Sequence, residues 1–231
     1  MPGLEHLPFA EVWFRAVDDE SWREASDAAR ELGKTGLEVW TTDEAPEVAA
    51  FFVERGYEEV RRYVISELDV RAAPDPPSPQ HTVVTLAERP DIPAEVLYEI
   101  ANTAYADQPG RAETIIGDLD RWRAWGLDPN RPDAYFVAVD GDEVLGYGYL
   151  AEEGGRWTHG FAAVARAHRG RGVAGAIKRA QIAWAKATGV EVLRTATERR
   201  LEQMRALNER LGYRPLYEEI VLRGPLTSQH V

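Results

Sequence analysis

An α/β chain built on one mixed sheet is predicted by three observations. Helical and strand signatures alternate from one end to the other, a proline-rich segment interrupts them once, and the two ends repeat the same unit. Before the interruption, a strand over Glu11 to Val17, a helix over Ser21 to Leu32, a strand over Leu37 to Thr42 and a helix over Pro46 to Arg55 lead into a longer strand ending near Val70. The segment RAAPDPPSPQ is nearly free of large apolar residues, so it reads as an extended linker rather than a packed element. The chain therefore divides into 1–70, a linker 71–80, and 81–231.

After the linker, Val83 to Ala87 reads as a strand and Pro93 to Ala106 as a helix. A second helix is expected over Glu113 to Trp125, because Ile115, Ile116, Leu119 and Trp122 recur at helical spacing. Ala134 to Val139 and Glu143 to Leu150 flank the turn Asp140-Gly141-Asp142 as a hairpin. Gly154-Gly155 turns the chain into a strand over Trp157 to Val164. A long helix then runs from near Gly172 to the glycine cap at Thr188-Gly189. Strand Glu191 to Thr195, helix Leu201 to Leu211 and strand Leu216 to Leu222 close the chain.

The repeat lies in Gly36-Leu37-Glu38-Val39-Trp40 against Gly189-Val190-Glu191-Val192-Leu193. About twenty residues later, Glu54-Arg55-Gly56-Tyr57 answers Glu209-Arg210-Leu211-Gly212-Tyr213, and each copy runs into a final strand.

With 231 residues the chain can bury a core without staples. It contains no cysteine, which excludes disulfides, thiolate metal sites and a cysteine nucleophile; no metal is expected, and a reducing cytoplasm is the simplest compartment. Met1 to Ala10 lacks a signal peptide's pattern, and no stretch approaches the roughly 20 apolar residues of a membrane span, so no membrane partner is expected. A net charge of -12 repels phosphate backbones at long range, which argues against nucleic acid as a partner. Yet Gly154 to Val190 contains no Asp or Glu, while Arg166, Arg169, Arg171 and Lys178 fall inside it. In so acidic a chain this window marks a local anion site.

Inside that window a strand ending at Val164 leads through a glycine turn into a helix. Free N–H groups and the helix dipole bind anions in this geometry. Gly170 and Gly172 allow close approach of the main chain, and Arg169 and Arg171 add charge. With Val164 five residues before Arg169, and Arg-x-x-Gly-x-Ala across 169–174, the segment resembles the signature of the GNAT superfamily of N-acetyltransferases. Leu211-Gly212-Tyr213, preceded by Met204 and Asn208, resembles that family's closing helix, and the likeness covers about His81 to Leu226.

The resemblance implies acetyl-CoA as cosubstrate and a primary amine of a small molecule or peptide as acceptor, joined by direct attack in a ternary complex. It implies that Ala162, Ala163 and Val164 offer backbone groups to the pantetheine arm. The loop Arg169, Gly170, Arg171, Gly172, Val173, Ala174 and Gly175 would cradle the pyrophosphate. Asn208 stands where many members carry a tyrosine acid, and an amide does not supply a proton. An acyl-CoA-binding regulatory protein without turnover is therefore the alternative expectation. His159 and Glu198 are the candidate bases; Asp107, Tyr147, Tyr149 and Trp157 are candidates for the acceptor site.

Residues 1–70 resemble the second half of the same fold, with the acidic Val17-Asp18-Asp19-Glu20-Ser21 in place of the loop and Phe52 in place of the tyrosine. A degenerate, non-catalytic half-repeat is expected there. Its sheet edge would be completed by the C-terminal domain or by a second copy in a homodimer.

Overall fold

The computed structural model describes residues 7–73, 80–108, 116–128 and 130–228. In chain order the first unit comprises β1 (Phe9–Trp13), α1 (Asp19–Glu31), β2 (Gly36–Thr42), α2 (Pro46–Val53) and β3 (Glu58–Asp69). The remainder comprises β4 (Thr82–Thr85), α3 (Ala94–Ala106), α4 (Leu119–Gly126), β5 (Tyr135–Asp140), β6 (Glu143–Glu153) and β7 (Arg156–Val164). It closes with α5 (Val173–Thr188), β8 (Val192–Glu198), α6 (Glu202–Arg210) and β9 (Arg214–Pro225). No helix among the described residues is long and apolar enough to cross a membrane.

The expected class and element order are found, and the ends of elements differ for local reasons. α4 starts at Leu119 rather than Glu113, because Gly117 adopts a φ of 80° and the Asp118 carboxylate accepts the Arg121 N–H at 2.9 Å as a cap. Residues 113–115 of the expected helix, and 74–79 of the linker, lie outside the described residues. β8 continues past Thr195 to Glu198 because β3 pairs along it, from Asp69↔Val192 to Tyr63↔Glu198.

The nine strands form one sheet in the order β1-β2-β9-β3-β8-β7-β6-β5-β4. β1 and β2 are parallel, as are β7 and β8, and these pairs occupy equivalent places in the two repeats. The final strands are exchanged: β9 of the second repeat lies against β2 of the first, and β3 of the first lies against β8 of the second. β3 and β9 pair antiparallel between them. The linker thus divides the sequence, while one sheet runs through both parts, and the edge expected on the first repeat is covered by β9. Among the described residues, the short β1 and β4 remain as edges, which limits strand addition from outside.

Along the continuous register Val39, Leu222 and Leu193 share one face. There α1 and α2, the latter through Val48 and Phe52, pack on Leu37, Val39 and Leu222, and α5 packs on Leu68 and Leu193. α3 and α4 cover the opposite face through Leu97, Trp122, Val137 and Tyr147. On that opposite face, near the exchanged strands, Glu38 of β2 is 1% exposed and binds both Arg61 of β3 and Arg223 of β9, the latter at 2.7 Å. Glu38→Ala leaves two guanidiniums without their shared anion, so unfolding should become easier by about 3–5 kcal/mol. The midpoint of urea denaturation checks this.

Candidate active site

The parallel pair at the centre of the sheet is short. β7 and β8 pair only at Trp157↔Leu193 and Thr158↔Arg194. Beyond these, β8 departs with β3, while β7 stays with β6 as far as Gly146↔Val164. A register shift between Gly148 and Leu150 bulges β7 at Gly160, where a side chain would collide with the Tyr149 ring. The two strands therefore splay, and a cavity of about 140 Å³ opens between them.

This cavity is walled from both faces of the sheet. Tyr63, Phe161, Ala196 and Glu198 line it on the α3 face, with Gln108 at the end of α3. His159, Thr195 and Thr197 alternate onto the α5 face, where Lys178, Gln181, Leu201 and Met204 close it. Tyr63 belongs to the N-terminal repeat, stacks on Trp40 at 5.7 Å, and reaches the cavity only through the exchanged strand.

His159 is held by two hydrogen bonds. Its Nδ1–H donates to Gln181 Oε1 at 2.9 Å, and its Nε2 accepts from the Tyr213 hydroxyl. Burial, then the nearby Lys178 charge, push its pKa well below the usual histidine value, so the ring is neutral and both nitrogens are committed. Glu198 ends β8. Its Oε1 accepts from Arg200 Nε at 2.7 Å and its Oε2 from the Arg200 backbone N–H at 2.8 Å, which leaves lone pairs on a carboxylate in the cavity wall.

At the end of β7 the chain turns through Arg166–His168 into the glycine loop. Gly170 and Gly172 take φ of 74° and 83°, a region that disfavours side chains. Gly172 is the N-cap of α5, with no side-chain cap and no acid in the first turn. The N–H groups of Val173, Ala174 and Gly175 thus form an uncapped positive helix end. His81, just past the linker, braces the loop by a 2.8 Å bond from Nε2 to the Arg171 carbonyl. The equivalent end of α1 is closed: Asp18 Oδ1 accepts the Ser21 N–H at 2.8 Å in a capping box.

Several residues singled out in the sequence stand elsewhere. Asp107 caps α3 and pairs with Arg166 and Arg169, which hold its pKa far below the usual range; its carboxylate is engaged by the loop. Arg169 also donates to the Val164 carbonyl at 3.0 Å. Tyr147 is buried under Trp122, Tyr149 stacks on Tyr135 at 5.0 Å, and Trp157 packs on Trp184. Asn208 is 3% exposed and donates to Thr197 Oγ1 at 2.9 Å, which ties α6 to β8 outside the cavity wall. Sequence reasoning missed Lys178 and Gln181 as cavity residues. Their signal was present, as polar positions three apart between Ile177 and Ile182 on the buried stripe of α5. Tyr63 carried no such signal.

The match with a family model is to the Acetyltransferase (GNAT) family over residues 94–213, more than half the chain, and the chain belongs to that family. No curated protein matches it. Among solved structures, it is similar to a GCN5-related N-acetyltransferase from Sphaerobacter thermophilus, with a TM-score of 0.71 and 18% identity, covering 96% of this chain and 74% of that one. A tandem GNAT protein from the clavulanic acid biosynthesis pathway gives 0.65 and 19%, over 90% and 70%. A GCN5-related N-acetyltransferase from Kribbella flavida gives 0.61 and 18%, over 94% and 79%. The likeness extends through the N-terminal half, which is also GNAT-like in fold.

Proposed function

We propose that the protein transfers an acetyl group from acetyl-CoA to a primary amine of a small molecule or exposed peptide, by direct attack in a ternary complex. The observation that carries this reading is the cavity at the splay, lined from both faces of the sheet, together with the uncapped glycine-rich helix end that follows β7. The N–H groups of Gly170 to Gly175 would hold the pyrophosphate, with Arg171 adding charge. The backbone of Ala162 to Val164, unpaired by β8, would hold the pantetheine arm. Acetyl-CoA supplies the activated thioester.

The residues of this chain then have distinct tasks. Glu198 attracts the incoming ammonium and accepts its proton, directly or through water. Main-chain N–H groups of β7 polarise the carbonyl. The Tyr213–His159–Gln181 chain fixes the wall behind them, so His159 acts as a positioning residue rather than as the base. The N-terminal repeat is non-catalytic, because Asp18 occupies its own helix end, but it completes the cavity with Tyr63.

One observation favours the second reading, an acyl-CoA-binding regulatory protein: Asn208 is buried in a structural hydrogen bond. CoA release measured across a panel of amines, alongside acetyl-CoA binding by thermal shift, separates the two. Turnover on at least one amine is expected; tight binding with no turnover on any would overturn the enzyme reading.

A further inference from the structure

We infer that Lys178 of α5 supplies the proton taken up by the thiolate of CoA as it leaves. The inference rests on the acyltransferase reading above. Lys178 is 4% exposed and lines the cavity where β7 and β8 separate. Its Nζ lies 3.4 Å from Thr195 Oγ1 and sits over the Tyr213 ring, 5.2 Å from the centroid. Among the described residues no carboxylate pairs with it. The titratable groups of the surrounding walls are His159 from β7, Tyr213 before β9, Tyr63 from β3, and Glu198, which points to the other face of β8 and binds Arg200. A buried ammonium without an anion carries a large desolvation cost, which one long hydrogen bond and one ring face offset only in part.

Acid strength supports the assignment. Burial lowers Lys178 from the usual lysine value to about 7. A thiol has a pKa of about 8.5, so transfer from this ammonium to a thiolate runs downhill, whereas transfer from an ordinary lysine near about 10.4 would not. Lys178 thus supplies what Asn208 does not.

The step balances. The amine lone pair forms the N–C bond as the carbonyl π pair moves to oxygen; that pair returns, and the C–S bond breaks with its electrons on sulfur. The acceptor ammonium first loses one proton through Glu198 to water; after attack, sulfur takes a proton from Lys178 Nζ, leaving a neutral lysine amine, and the second proton lost by the acceptor nitrogen passes to Glu198. Exchange with water restores both groups.

The test compares the wild type with Lys178→Met and Lys178→Arg, using an amine that the panel identifies. Methionine replaces a lone buried charge with an apolar chain, so folding should be retained. Lys178→Met should lower kcat by about 100-fold with little change in acetyl-CoA affinity. Wild-type kcat should fall as pH rises through the lysine's titration near 7, and this limb should vanish in the variant. A second readout needs no turnover: the thiol of bound CoA is titrated by its ultraviolet thiolate absorption. The permanently charged Lys178→Arg should lower the thiol of bound CoA below about 8.5 without restoring the rate, whereas Lys178→Met and the wild type, whose Lys178 is neutral above about 7, should leave it higher. Wild-type kcat and pH profile in Lys178→Met, or the same thiol pKa in Lys178→Arg as in Lys178→Met, would overturn the assignment. If no amine turns over, the acyltransferase reading fails, and the thiol titration alone still reports whether Lys178 faces the sulfur.

Discussion

Gly172→Asp should lower acetyl-CoA affinity by roughly 100-fold or more, equivalent to about 2.7 kcal/mol, while circular dichroism and melting temperature stay near those of the wild type. Gly172 has a φ of 83°, where a side chain costs about 1–2 kcal/mol, but aspartate tolerates this region better than most residues. A carboxylate at a helix N-terminus returns about 0.3–1 kcal/mol, so the fold is nearly indifferent. The new Cβ meets only Gln80 Oε1, at 2.9 Å, which is the end of a flexible side chain. Binding is not indifferent. The substitution rebuilds at α5 the cap that Asp18 makes at α1, so it consumes the donors and sets a negative charge where the pyrophosphate would lie. Calorimetric titration reads the affinity directly, and an unchanged value would remove the loop from the cofactor site.

Glu198→Gln should lower kcat by about 100- to 10,000-fold and leave the dissociation constant of acetyl-CoA unchanged. The amide keeps the shape of the carboxylate and a hydrogen bond to the Arg200 backbone, so the end of β8 should hold its position. What is lost is the negative charge in the cavity wall on the α3 face, and with it the proposed proton acceptor. Steady-state CoA release and equilibrium binding together separate the two effects. A rate within threefold of the wild type would return deprotonation to solvent.

Much of this could be read from the chain itself. The element order, the glycine loop, the acid-free window and the repeat are local features, each written in residue spacing over a few turns. The acidic, glycine-free turn ahead of α1 was legible for the same reason, whereas its capping box, with Asp18 as N-cap and the helix starting at Asp19 rather than Ser21, was not read from it. The candidate site was legible only in part. Glu198 and His159 do reach the cavity, but Trp157, on the same strand as His159, and Tyr147 and Tyr149, on the neighbouring β6, pack into helix-facing cores instead. Alternation places a side chain on a face; it does not say what covers that face.

The sequence by itself determined the fold class, the family resemblance and the glycine-rich, uncapped helix end, because backbone preferences and short-range hydrogen bonds are set by neighbouring residues. Only the tertiary structure decided that the two repeats exchange their last strands, that Tyr63 of the first repeat walls the cavity of the second, and that Lys178 is buried with no carboxylate paired to it among the described residues. Those outcomes depend on which long-range strand pairing buries the most edge and apolar surface. That balance is struck between segments more than a hundred residues apart, as in Tyr63↔Glu198, and no local spacing encodes it.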